Sequence, residues 1–446
     1  MTQWQLIRSR RFVPLFWTQF LNAFNDNVYK NALVILIIFQ GDRLYGIDTN
    51  ILVTLCAGFF ILPYFLFSAT AGQLADKYEK SRLMQRIKLA EIFIMGVAVI
   101  GFYTNNIILL IILLFMLGTQ AAMFSPLKYG ILPQHLAENE LIGGNGLINM
   151  GTFLAILLGT ILGGVLISIP EQGATIISIL IIILAILGYT ASLFILPAQP
   201  SEATLKIRWN IVIETWKMIQ CGMEKRSVFI AILAMSWFWF VGATYLSQMP
   251  AYAKYVLGGN NEVVTLLLTM FSVGIGTGSV LCEKLSKGRI ELGIVPIGAL
   301  GITVFAIGVY FASQPFIAAQ LPAGAQGVWQ FLSMSGSAQV LICLVLIGFF
   351  GGIYIVPLNA MIQHRSNPLH RARIIASNNI LNALMMVASS VATIMMLQYQ
   401  FNIAEIFLSL GVINALVAVA VFIAMPEFIE RLQAWLGYTK ELPKGG

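Results

Sequence analysis

Asp26 and Lys30 stand four residues apart in Asn22-Ala-Phe-Asn25-Asp26-Asn27-Val-Tyr29-Lys30-Asn31, midway along an apolar run from about Phe12 to Phe39. A run of that length can span a hydrocarbon core. A charge held at membrane depth costs on the order of several kcal/mol unless it faces a polar cavity or a partner. The four-residue spacing puts both charges on one helical face, so that face is turned from lipid. Two uses are open. The charges can neutralise each other as a structural pair, or they can form a substrate-binding patch with Asn22, Asn25, Asn27 and Tyr29. Lys128, in Pro126-Leu-Lys128-Tyr129-Gly130, is a third intramembrane charge and has no acid within a turn. It can contact a phosphate as a point charge or snorkel to the interface. Glu91 is the fourth. Pairing with Lys88 or Arg86 near the end of its helix is the plain reading, and a proton-coupling role is the other.

Trp237 and Trp239, in Trp237-Phe-Trp239-Phe240, can wall an acyl-chain or cationic-headgroup pocket. Four consecutive aromatics also point all round a helix, which is the pattern of packing and lipid contact. Gly146, Gly159, Thr160, Gly163 and Gly164 supply small residues at helical spacing, which lets helix backbones approach. No phosphate loop, dinucleotide fingerprint, metal-ligand cluster or nucleophile triad occurs. The expectation is therefore a non-enzyme with no metal and no cofactor. Cys56, Cys221, Cys282 and Cys343 are scattered and imply no disulfide framework.

The elements that must position these residues are membrane helices. Of 446 residues 58% are hydrophobic and only 10% charged, against roughly 25% charged in soluble proteins, and mean hydropathy is +0.85. Apolar spans fall at about 12–39, 50–75, 86–104, 106–133, 143–169, 174–197, 227–257, 263–284, 291–313, 338–362, 374–399 and 403–425. This predicts an all-α protein of twelve transmembrane helices. The organisation expected is a six-helix bundle over 1–197, a linker over 198–226, a second bundle over 227–425 and a tail over 426–446. A net charge of +7 reflects topology rather than nucleic acid, because cytoplasmic loops collect Lys and Arg. Loops 76–88, 198–226, 283–291 and 364–373 carry those residues, which places both termini in the cytoplasm. In the linker, Trp209, Val212, Ile213, Trp216 and Ile219 recur at helical spacing, as in a helix lying on the membrane surface or docking a partner.

The halves repeat. Leu74-Ala-Asp76-Lys77-Tyr-Glu-Lys80-Ser-Arg82 matches Leu281-Cys-Glu283-Lys284-Leu-Ser-Lys287-Gly-Arg289 at a constant separation of 207 residues (Asp76 to Glu283). Asn145-Gly-Leu-Ile-Asn149 is echoed at Asn378-Asn-Ile-Leu-Asn382, with a long uncharged loop over 314–337 accounting for the wider interval. Two parallel six-helix repeats are a transporter arrangement.

Gly72-Gln-Leu-Ala-Asp76-Lys77-Tyr-Glu-Lys80-Ser-Arg82 resembles the helix 2–3 signature of the major facilitator superfamily, and the second copy strengthens the match. The resemblance covers all twelve spans. It implies that Gly72, Asp76, Lys77 and Arg82, with Glu283, Lys284 and Arg289, form a conformational latch. Phe20-Leu-Asn22-Ala-Phe-Asn25-Asp26-Asn27-Val-Tyr29-Lys30-Asn31 and Phe124-Ser-Pro126-Leu-Lys128-Tyr129-Gly130-Ile-Leu-Pro133-Gln134-His135 resemble the bacterial lysophospholipid transporter branch. Ser236-Trp237-Phe-Trp239-Phe-Val-Gly242-Ala-Thr244 is similar to a version fused to an acyltransferase and an acyl-carrier-protein (acyl-ACP) synthetase. This chain stops at Gly446 and has no His-x4-Asp motif, so a separate acylating partner is expected. The resemblance implies flipping of lysophospholipid from the outer to the inner leaflet of a bacterial inner membrane for re-acylation, without obvious ion coupling. Two alternatives stay open: a proton-coupled exporter of lipophilic cations, and a scaffold recruiting an acyltransferase. The helix 5 glycines also resemble the antiporter motif of drug exporters, but Ala155 and Thr160 replace an expected glycine and proline.

Overall fold

The computed structural model describes residues 3–39, 43–44 and 47–437. Among the described residues it contains twelve helices of 21 to 29 residues: α1 Val13–Phe39, α2 Thr49–Lys77, α3 Lys80–Tyr103, α4 Ile107–His135, α5 Leu141–Ile167, α6 Gly173–Leu193, α7 Arg226–Ala251, α8 Asn261–Leu285, α9 Val295–Ala319, α10 Ser337–Arg365, α11 Arg371–Gln398 and α12 Ile403–Ala424. A linker helix, Ile211–Met223, lies between α6 and α7, and a tail helix, Glu427–Trp435, follows α12. The only strands described are the pairs Arg43–Leu44 and Ile47–Asp48. Part of the expected 314–337 loop is helical, because α9 runs through Pro315 to Ala319 and Val328–Leu332 forms one further turn.

Helix ends follow local chemistry. Glu79 caps α3 by accepting from the Ser81 and Arg82 N–H groups, Asn106 caps α4, and Asn402 with Glu405 makes a capping box on α12. Ten of the twelve helices are long and apolar enough to cross a membrane by length and composition. The two that fall short are α1 and α3, which carry Asp26 and Lys30, and Lys88 and Glu91. Large apolar side chains such as Phe93, Ile100, Leu416 and Ile423 are exposed, as on helices that meet lipid.

The chain forms two compact units. Unit 1 comprises Met1–Glu138, Leu154–Val228 and Gln363–Ala383; unit 2 comprises Asn139–Phe153, Phe229–Ile362 and Leu384–Gly446. In unit 1, α1 and α3 pack on α6 and α2 packs on α4. Val28, Leu33, Met95, Phe102, Leu114 and Ile181 belong to its apolar core. Gly159 and Gly163 let α5 lie against the α1 backbone: an added Cβ would sit 2.7 Å from the Phe24 oxygen and 2.4 Å from the Val28 oxygen. In unit 2, α9 packs on α12.

Candidate functional site

Asp26 is the end of a buried hydrogen-bond chain drawn from three helices of unit 1. Asn22, one turn earlier on α1, donates Nδ2 to Asp26 Oδ2 at 3.0 Å. The Asn22 oxygen accepts from Gln120 Nε2 of α4 at 2.7 Å and from Lys88 Nζ of α3 at 3.3 Å. This fixes which end of the Asn22 amide faces Asp26. Lys88 pairs with Glu91, and neither side chain is exposed at all. Glu91 also accepts from Asn25 at 2.9 Å and from Gln120 at 3.1 Å. Gly188 on α6 makes room for the ammonium: a Cβ there would stand 2.9 Å from Lys88 Nζ. The expected Lys88–Glu91 pairing is thus present, but inside the bundle rather than in the 76–88 loop. Burial of both members is tolerable because the remaining polar atoms of the carboxylate are hydrogen-bonded.

Asp26 Oδ1 is buried with no hydrogen-bond partner. Lys30 and Lys128 are half-buried, and their charges, with those of Lys88 and Glu91, act on Asp26. Yet Lys30 makes no direct ion pair with it. The Lys30 ammonium lies over the Phe60 ring at 5.5 Å from the centroid, and Lys128 lies over Tyr129 at 4.6 Å. The arrangement therefore holds one orphaned carboxylate oxygen and two ammonium groups resting on aromatic faces. Asn27 and Tyr29 do not join it. Asn27 donates to the Ala23 carbonyl, and Tyr29 sits in the apolar core with its hydroxyl on the Leu110 carbonyl at 2.7 Å.

A second cluster forms where α2 meets the first turn of α11, again within unit 1. Asp76 has no exposed surface and accepts from the Ala372 and Arg373 N–H groups and from Arg373 Nε at 3.2, 3.3 and 3.0 Å. A carboxylate at a helix N-terminus is favoured by the free N–H groups there. Arg373 also pairs with Glu202 of the linker. Gly72 permits the approach: a Cβ there would lie 2.8 Å from Ala376 Cβ and 3.1 Å from Arg373 Cα. Lys77 instead lies over Tyr78, and exposed Arg82 reaches only Glu79, at 4.0 Å.

Residues 15–334, which run from α1 through α9 and include the duplicated α2–α3 and α8–α9 turns, match the family model described as Major Facilitator Superfamily. The chain belongs to the Major Facilitator Superfamily. That is a family of membrane transporters, not enzymes, and the protein is a multi-pass member of it. It is 28% identical over 365 residues, 80% of this chain and 79% of the relative, to the "Lysophospholipid transporter LplT" of Yersinia pestis (strain Pestoides F). Among solved structures it resembles the E. coli fucose:proton symporter FucP, with 14% identity, TM-score 0.68 and coverage of 93% and 98% of the two chains. It also resembles the human organic anion transporter MFSD10, with 13% identity, TM-score 0.70 and coverage of 92% and 99%. At these identities the two structures speak to the fold alone.

In this superfamily member, Trp237 and Trp239 belong to unit 2. Trp237 donates to Asn414 at 2.8 Å and stacks on Phe240, while Trp239 stacks on Phe153. Of the second signature copy, Glu283 is half-buried and Lys284 and Arg289 are exposed. Sequence reading missed Gln120, Arg373 and Glu202. Gln120 was legible as a polar residue inside an apolar run. Arg373 read only as one of several loop cations, since nothing in the chain ties it to an aspartate 297 residues away.

Proposed function

We propose that this chain moves lysophospholipids from the outer to the inner leaflet of a bacterial inner membrane by alternating access. Its Lys/Arg-rich loops and both termini would face the cytoplasm. The single observation that carries this reading is the pairing of an orphaned buried carboxylate oxygen on Asp26 with two ammonium groups, Lys30 and Lys128, that have no carboxylate in contact. A phosphate satisfies the lysines and a donor group of the headgroup satisfies Asp26. One acyl chain remains for apolar surface. The 28% identity to a lysophospholipid transporter over most of both chains supports the same reading. The product would be re-acylated by a separate acyltransferase or acyl-ACP synthetase.

The test is movement of labelled lysophospholipid in proteoliposomes holding this protein alone. Movement should persist without proton or sodium gradients. Loss of movement on adding a protonophore would favour proton coupling, and no movement at all with folded protein would overturn the lysophospholipid reading and leave the cation exporter and the scaffold.

A further inference from the structure

The linker is bonded over residues 198–208 to the end of α2 and the start of α3, and through Glu202 to the Asp76–Arg373 cluster. The Ala198 N–H donates to Glu79 at 2.7 Å, and Lys80 Nζ donates to the Gln199 carbonyl and to Ser201 Oγ, both at 3.1 Å. The Glu202 N–H donates to the Asp76 carbonyl at 2.9 Å, and the Glu202 carboxylate pairs with Arg373. Further on, Arg208 N–H donates to Gln73 Oε1 at 2.9 Å while Gln73 Nε2 donates back to the Arg208 carbonyl at 3.2 Å. The linker helix then lays Met218 against Ala69 of α2 and Ile380 of α11. At its end Glu224 meets His370 at 3.2 Å.

The opposite side of this helix is also apolar. Trp209, just before the Asn210 cap, and Val212, Ile213 and Trp216 are 71%, 79%, 51% and 59% exposed. Such a patch marks a surface that something covers. The chain itself says at what depth. The helix ends at Met223 and α7, long and apolar enough to cross a membrane, begins at Arg226, so two residues separate the two helices. The linker helix packs on Ala69 of α2 and Ile380 of α11. Lys206, Arg208, Lys225 and Arg226 flank it, which suits the anionic headgroups of a cytoplasmic leaflet.

We propose that the Trp209–Trp216 face is seated in the cytoplasmic leaflet, and that this seating holds the linker as a strap across the Asp76–Arg373 latch. Lipid at that leaflet thereby sets how readily α2 and α11 part. The orientation rests on the transport reading above, but the test needs no substrate and so fails or succeeds separately from it.

Val212→Cys carrying an environment-sensitive NBD dye, in lipid nanodiscs, reports the seating. Blue-shifted emission quenched by phospholipids brominated near the headgroup is expected. Water-like emission, or a shielded dye that brominated lipid leaves unquenched, overturns the proposal. Ser377→Cys, buried one turn beyond Arg373, reports the latch through its rate of reaction with a water-soluble maleimide. Trp209→Glu with Trp216→Glu should raise that rate several-fold, as should Glu202→Gln. Trp209→Tyr with Trp216→Tyr should restore the slow rate and controls for folding. A dye moved into water by the Glu pair with no change at Ser377→Cys would disprove the strap.

Discussion

The two units bury polar atoms in different currencies. Unit 1 buries charge: Lys88 and Glu91, with no exposed surface, bonded to Asn22, Asn25 and Gln120 and leading to Asp26. Unit 2 buries a neutral hub in the comparable setting of a helix bundle. Asn414 of α12 donates to the Ala299 carbonyl at 3.0 Å and to Thr303 Oγ1 at 2.9 Å, and accepts from Trp237. A charged network is expensive to hold, so it is retained where charge is used. The neutral hub ties α7, α9 and α12 together and needs no further role. On the proposed reading, substrate chemistry belongs to the charged network of unit 1, and the Asn414 hub of unit 2 serves packing.

The largest expected effect breaks the charged core. Lys88→Met strands Glu91, and Glu91→Leu strands Lys88; either should cost on the order of 3–5 kcal/mol and leave little folded protein on size-exclusion chromatography. Lys88→Met combined with Glu91→Met should recover much of it. In unit 2, Asn414→Leu strands the Trp237 N–H and should cost only about 1–3 kcal/mol. Equal losses from Lys88→Met and Asn414→Leu would erase the distinction.

Next is transport. Asp26→Asn keeps the shape and the bond from Asn22 but removes the charge. It should lower lysophospholipid movement about tenfold or more, equivalent to about 1.4 kcal/mol, with yield unchanged. Lys128→Ala should act alike on anionic headgroups, because it strands no acid. Trp237→Phe, which gives up a bond to Asn414, should leave movement near its normal rate. A greater transport defect in Trp237→Phe than in Asp26→Asn would move the site into unit 2.

Periodicity and hydropathy made the twelve helices legible, and the i,i+4 spacing singled out Asp26 and Lys30. What stayed hidden were partners distant in sequence. The third helix was expected over 86–104 and runs Lys80–Tyr103, because Lys80, Arg82, Arg86 and Lys88 all look like loop charges in one dimension. Lys80 and Lys88 are in fact buried, at 1% and 0% exposure. Their carbonyl and carboxylate partners come from the linker and from three residues on, and only the fold distinguishes them from exposed Arg82. Asn22 and Gln120 are 98 residues apart, so no local pattern joins them. Tyr29 was drawn into the site by its neighbours, but the helix turns it toward α4.

A smaller effect is expected at the two signature copies. Asp76 engages the first turn of α11, whereas Lys284 and Arg289 of the other copy are exposed. Asp76→Asn weakens three bonds, and Gly72→Ala forces a Cβ to 2.8 Å from Ala376. Each should shift the two-state balance by about 1–2 kcal/mol, read as faster labelling at Ser377→Cys and altered transport. Lys284→Ala should do neither. Equal responses would mean that both copies latch.

The smallest effect separates the copies by pH. Glu79 and Ser286 occupy matching positions, 207 residues apart. Burial would push the Glu79 carboxyl up, but the N–H groups of Ala198, Arg82 and Ser81 and the Ser81 hydroxyl outweigh it and hold it below its ordinary value of 4.5. A carboxylate depressed on folding adds stability that is fully present above its unfolded value and lost as pH falls through the folded one. Acidification below about pH 4.5 should therefore loosen the α3 cap and its tie to Ala198. Ser286 bonds the Cys282 carbonyl through its hydroxyl at 2.7 Å and has nothing to titrate in that range. Thermal unfolding in detergent between pH 7 and pH 4 should fall by a few degrees less in Glu79→Gln than in the unsubstituted chain, because the glutamine has already given up the ionised cap. Ser286→Ala should leave the pH slope unchanged. An identical slope in Glu79→Gln would place the acid sensitivity at other carboxylates.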